Sequence, residues 1–141
     1  MAYEPQEIDY EDYSRYVDTA VVFIGLRKAD NILFASFKPG VRITKDIQHW
    51  LLIVYNYVSD GKARPLVMEA APFVEFTNEA KEYAVTIEEE APFLCDAIIV
   101  RNMAQLLVAK LYFKLNRPLK PHNTFRDFES ALAWAKTFSI E

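Results

Sequence analysis

The side chains able to do chemistry are few, and they are scattered along the chain. His49 stands beside Trp50 and His122 between Pro121 and Asn123. Neither belongs to a cluster of carboxylates or cysteines at metal-ligand spacing, so both read as ordinary surface or half-buried histidines. Cys95 is the one cysteine. Its nearest charge is Asp96, whereas a reactive thiolate wants a cation or a helix N-terminus beside it. The run Glu88-Glu89-Glu90 falls where a helix should end, against the dipole, and reads as a solvated face. No Gly-rich phosphate loop, nucleophile elbow or His-Glu-x-x-His pair is present. The expectation is therefore no enzyme: no catalytic residue, no metal and no cofactor.

Two positions retain a binding reading. Arg101 and Asn102 follow a short apolar strand and lead into a helix, which is where open α/β sheets hold ligands and where backbone N–H groups favour anions. The aromatic residues, 14% of the chain, offer more rings than a small core needs. Trp50, Tyr55, Tyr57, Phe73, Phe76, Tyr83, Tyr112 and Phe113 are the ones free to line a pocket or a contact face.

These residues must be positioned by one compact unit. A length of 141 residues, 52% of them hydrophobic and 26% charged, suits a single core. The net charge of −4 lacks the footprint of a nucleic-acid binder. Charge is unevenly spread. Residues 1–18 carry six acids against Arg15 and read as an acidic N-terminal arm, followed by one domain over 19–141. From Arg101 to Asp127 the balance reverses, with six bases against Asp127 alone. No apolar run approaches the ~20 residues of a membrane span, and the acidic start is the opposite of a signal segment. The cytoplasm is the expected compartment.

Periodicity supplies the elements. Thr19–Leu26 and Ile32–Phe37 are β-rich runs around the turn residues Asp30-Asn31, which predicts a hairpin. After Pro39-Gly40, Ile47, Trp50, Leu51, Val54 and Val58 recur at helical spacing, with Thr44 as cap and Gly61 as stop. Pro65–Ala70 reads as a strand. A second helix carries Ala80, Tyr83, Ala84 and Ile87 behind Thr77 or Asn78 as cap. Asp96–Val100, apolar on both faces, reads as a central parallel strand. A third helix opens on Asn102 with Gln105 three residues on and carries Met103, Leu106, Leu107, Leu111 and Leu115. His122–Arg126 is a brief strand, and Asp127 starts a last helix through Phe128, Ala131, Leu132, Ala135 and Phe138. This alternation predicts an α/β fold with about four helices. Its sheet is mixed and mainly parallel, with an antiparallel hairpin at the N-terminal end.

That order resembles STAS domains, the fold of bacterial anti-sigma-factor antagonists. The C-terminal third is similar to uncharacterised bacterial SpoIIAA-like proteins of the STAS/SEC14 type. The likeness is carried by Ala97-Ile98-Ile99-Val100, by Phe113-Lys114-Leu115-Asn116-Arg117-Pro118, and by the stretch from Phe125-Arg126-Asp127-Phe128 to Ala131-Leu132-Ala133-Trp134. The resemblance implies a regulatory protein-interaction module. Signalling members of the family carry an Asp-Ser-Ser-Gly-like motif whose serine is phosphorylated at a helix start. The corresponding segment here, Phe73–Glu79, contains neither serine nor glycine, and its one hydroxyl, Thr77, reads as a helix cap.

The chain is thus expected to be a non-catalytic regulatory module with a protein partner, or a homodimer, acting through Tyr57 and Tyr83 with Thr77 and Asn78 at the rim. The alternative is a carrier or sensor of a small apolar or anionic ligand held between helices near Arg101 and Asn102.

Overall fold

The computed structural model describes residues 5–116 and 119–139. The side chains of Tyr112, Leu115 and Asn116, and the turn residues Arg117 and Pro118, lie outside the described residues. A 3₁₀ turn at Tyr10–Asp12 leads into β1 (Tyr13–Asp18), β2 (Val22–Arg27) and β3 (Leu33–Phe37). β2 and β3 form the expected hairpin, with Val22 opposite Phe37 and Leu26 opposite Leu33. Its turn holds Asn31 at φ 57°, and Arg27 Nε reaches Asp30 at 3.0 Å. β1 was not expected. It occupies the second half of the acidic stretch and pairs antiparallel with β2, as an edge strand.

Downstream come β4 (Arg42–Ile43), α1 (Lys45–Val58), β5 (Arg64–Ala70), β6 (Glu75–Phe76), α2 (Asn78–Thr86), β7 (Phe93–Ile99), α3 (Met103–Asn116), β8 (His122–Phe125) and α4 (Phe128–Lys136). The six-stranded sheet runs β1-β2-β3-β5-β7-β8, and the pairs β3–β5, β5–β7 and β7–β8 are parallel. β4 and β6 make a separate two-stranded parallel pair. The architecture is the mixed, mainly parallel sheet with four helices and an antiparallel N-terminal portion that the sequence predicts.

Side chains cap all four helices at the expected places. Thr44 accepts from Ile47 N at 3.4 Å, Thr77 from Ala80 N at 3.1 Å, Asn102 from Gln105 N at 2.8 Å and Asp127 from Ser130 N at 2.7 Å. Each satisfies an N–H that the helix itself leaves open.

Strand alternation divides the core between the two sheet faces. On one, Ile24, Leu33, Ala35 and Leu66 pack under Leu51, Val54 and Val58 of α1 and Ala80 of α2. On the other, Phe23, Phe34, Val67, Ala97 and Ile99 pack under Phe128, Ala131, Leu132 and Ala135 of α4. α3 differs from the other three helices: none of its described residues is fully buried.

Candidate functional site

The carboxyl end of the parallel strands is the place to look first. β5 points Glu69 into the α4 side of the sheet, where it is 0% exposed. Its carboxylate accepts from Arg101 Nη2 at 2.5 Å, Ser36 Oγ at 3.2 Å and the backbone N–H of Gln6 at 3.0 Å. A buried carboxylate needs such donors, and Arg101 is thereby committed to an internal ion pair. An anion in this crevice would have to compete with Glu69 for the guanidinium. Asn102 is the cap of α3, and Gln105 Oε1 reaches back to Arg101 N at 2.8 Å.

Thr77 and Asn78 lie at the same end of the sheet, at the start of α2, with the Thr77 hydroxyl engaged as cap. Tyr83 is half-buried and pairs its hydroxyl with His49 Nδ1 at 2.7 Å. Tyr57 sits at the far end of α1 with 58% of its surface exposed. There Arg15 donates to its backbone carbonyl at 2.7 Å and lies 4.8 Å above its ring. The six residues singled out from the sequence therefore do not form one surface. Four gather at the carboxyl end of the sheet, Tyr83 lies along α2, and Tyr57 is at the opposite end.

The other chemical groups are held structurally. Cys95 is buried, and burial pushes its thiol up to about 11. His122 lies against the Phe113 ring at 4.0 Å between centroids. Among the described residues, no group of three His, Cys, Asp or Glu side chains is placed to hold a metal ion. Glu88 corrects the solvated-face reading of the acidic run. Its two carboxylate oxygens accept the N–H groups of Leu119 and Lys120, each at 2.9 Å, and tie the α2 end to the segment entering β8. Glu89 and Glu90 remain exposed.

α3 presents a stripe of exposed apolar side chains. Met103 is 64% exposed, Leu107 60%, Val108 60% and Leu111 58%. Positions 103, 107 and 111 stack one turn apart on one stripe, with 104 and 108 beside them. Exposed Lys110 and Lys114 follow one margin, and no acid occurs from Ala97 to Arg126. In the sequence Met103, Leu107 and Leu111 belong, with Leu106 and Leu115, to the apolar set of the helix, with no face assigned to them. The structure turns Gln105, Leu106, Ala109 and Phe113 toward the body of the protein. The missed signal was a helix with apolar residues on more than one side, Met-Ala-Gln-Leu-Leu-Val-Ala-Lys-Leu, on an element that has only one side to bury. Phe73, at the carboxyl end of the sheet, adds a ring that is 90% exposed and held at φ 64°, the left-handed region that bulky residues avoid.

The fold has a counterpart among solved structures. It is similar to the crystal structure of an uncharacterised DUF3478-family protein with a SpoIIAA-like fold from Shewanella loihica PV-4, with a TM-score of 0.56. The match is 14% identical and covers 84% of this chain and 97% of that one. No curated protein matches the chain. Residues 26–139, from the end of β2 to just past α4, match the model of a domain of unknown function, and the chain belongs to that family, DUF7793.

Proposed function

We propose that the chain is a non-catalytic regulatory module that acts by docking, and that its contact surface is the outer face of α3 meeting the same face of a second copy. The observation that carries this reading is the stripe Met103, Leu107, Val108 and Leu111, with every member more than half exposed. Four such side chains make an apolar patch on the order of 400 Å², a size at which patches on single chains serve as contact sites. A stable dimer covers about 800 Å² per partner. The stripe supplies the apolar centre, and the stems of Lys110 and Lys114 supply the rim. Ala104 lets two helices approach closely. A stripe of one kind of residue is also self-complementary, as a two-fold interface requires. The exposed pair Ile53 and Tyr57 on α1 is smaller, and Arg15 already covers part of it.

The resemblance to SpoIIAA-like proteins supports a regulatory role, and the segment Phe73–Glu79 argues against control by a phosphoserine, since it contains none. Leu107→Glu places a charge at the middle of the stripe, at a side chain that is already mostly exposed. Light scattering of the unmodified chain at tens of micromolar is expected to give twice the 16.3 kDa of one chain. The variant is expected to give the single mass with an unchanged circular dichroism spectrum. An unmodified chain that stays monomeric contradicts the reading.

A further inference from the structure

A cavity of about 140 Å³ lies between α1, α2, the end of α3 and the sheet. Leu51, Tyr55, Ile87, Phe93 and Phe113 give it apolar and aromatic walls, and Asp96 of β7 borders it. This size is close to that of engineered apolar cavities, about 150 Å³, that take up benzene. Unlike those, it has a carboxyl group in its wall. Asp96 Oδ1 is shut off from solvent and has no hydrogen-bond partner among the described residues.

The neighbouring charges do not relieve it. Glu88 spends both oxygens on the N–H groups of Leu119 and Lys120. Lys120 turns its ammonium to Ala91 O at 2.6 Å, and His122 Nδ1 lies 3.3 Å from Lys120 O. Burial, and after it the Glu88 charge, push the Asp96 carboxyl up to about 7. An unpaired buried acceptor of this kind is costly unless something brings it a donor.

We infer that this cavity binds a small organic cation, an ammonium group on an apolar body of about four to six heavy atoms, with the ammonium on Asp96 and the body against Tyr55, Phe93 and Phe113. A cation suits the walls twice. It gives the carboxylate a charge-assisted hydrogen bond, and aromatic faces attract it. The Lys120 ammonium lies 5.8 Å from the Phe93 centroid. The site does not depend on dimer formation, because every residue named belongs to one chain.

The test is a titration of the full chain at pH 8 with isobutylammonium and, separately, with isobutanol, its neutral counterpart of the same shape, followed by amide chemical shifts. Saturable shifts centred on residues 84–88 and 95–97, with the amine binding at least tenfold more tightly than the alcohol, are expected. Asp96→Asn, which keeps the shape, is expected to bring the two ligands to within threefold of each other. Equal binding of amine and alcohol by the unmodified chain overturns the inference. So does the absence of saturable shifts with either, which would mean a cavity holding only water.

Discussion

At the residue scale, Asp96 is a carboxyl group that the fold buries and leaves with one oxygen unpartnered among the described residues. Burial raises its carboxyl to about 7, against 3.8 unperturbed. Between those values the folded state holds a proton that the unfolded state has released, so its contribution to stability falls as pH rises across that window and is constant above it. Asp96→Asn removes this dependence. Urea unfolding at pH 5 and pH 8 should show the variant gaining on the unmodified chain as pH rises, and a gap that stays constant would contradict the assignment. Nothing in the sequence distinguished this aspartate from the other acids. It was legible only as the first residue of a short apolar strand. Its unpaired state depends on the helices that three separate crossovers lay above it. Glu69 was hidden for the same reason, since its partners Ser36, Gln6 and Arg101 come from three distant stretches of chain.

At the element scale, local signals were strong wherever a helix starts. Thr44, Thr77, Asn102 and Asp127 cap the helices because short polar side chains reach the open N–H groups at fixed spacing, and that geometry is local. The edge strand β1 was harder to read. Its alternation, Tyr13-Ser14-Arg15-Tyr16-Val17-Asp18, is mixed with charges that suggested a solvated arm, although edge strands regularly carry them. What fixes β1 is tertiary: the Tyr13 ring lies over Gly25 of β2 and packs edge-on against Phe23 at 4.9 Å. A Cβ on Gly25 would collide with the Tyr13 ring and stand 2.9 Å from Phe23 Cζ. Gly25→Ala is therefore expected to destabilise by about 1–3 kcal/mol. The loss should be read in denaturant unfolding, together with faster amide exchange in residues 13–18. A variant with unchanged stability and unchanged exchange would remove this account of how the edge strand is held.

At the scale of the whole molecule, the order of strands and helices was legible because short β-rich apolar runs alternate along the chain with stretches of helical spacing. Right-handed crossovers then leave few topologies to choose from. The contact surface was not legible. A largely apolar α3 reads as a buried helix, and only the assembled sheet shows that α1 and α2 have taken most of the shared face, leaving Met103, Leu107, Val108 and Leu111 outside. Phe73 adds to the exposed apolar area from the same end of the sheet where α3 begins. A helix that buries none of its described residues completely should also open more readily than α1 or α4 in the isolated chain, and a partner across its outer face would restrain it.

Amide hydrogen exchange measured across a hundredfold range of protein concentration tests this most directly. The account predicts that exchange over residues 103–111 slows as concentration rises, while α1 and α4 are unaffected. Exchange in α3 that is independent of concentration, with the chain monomeric throughout, would contradict it.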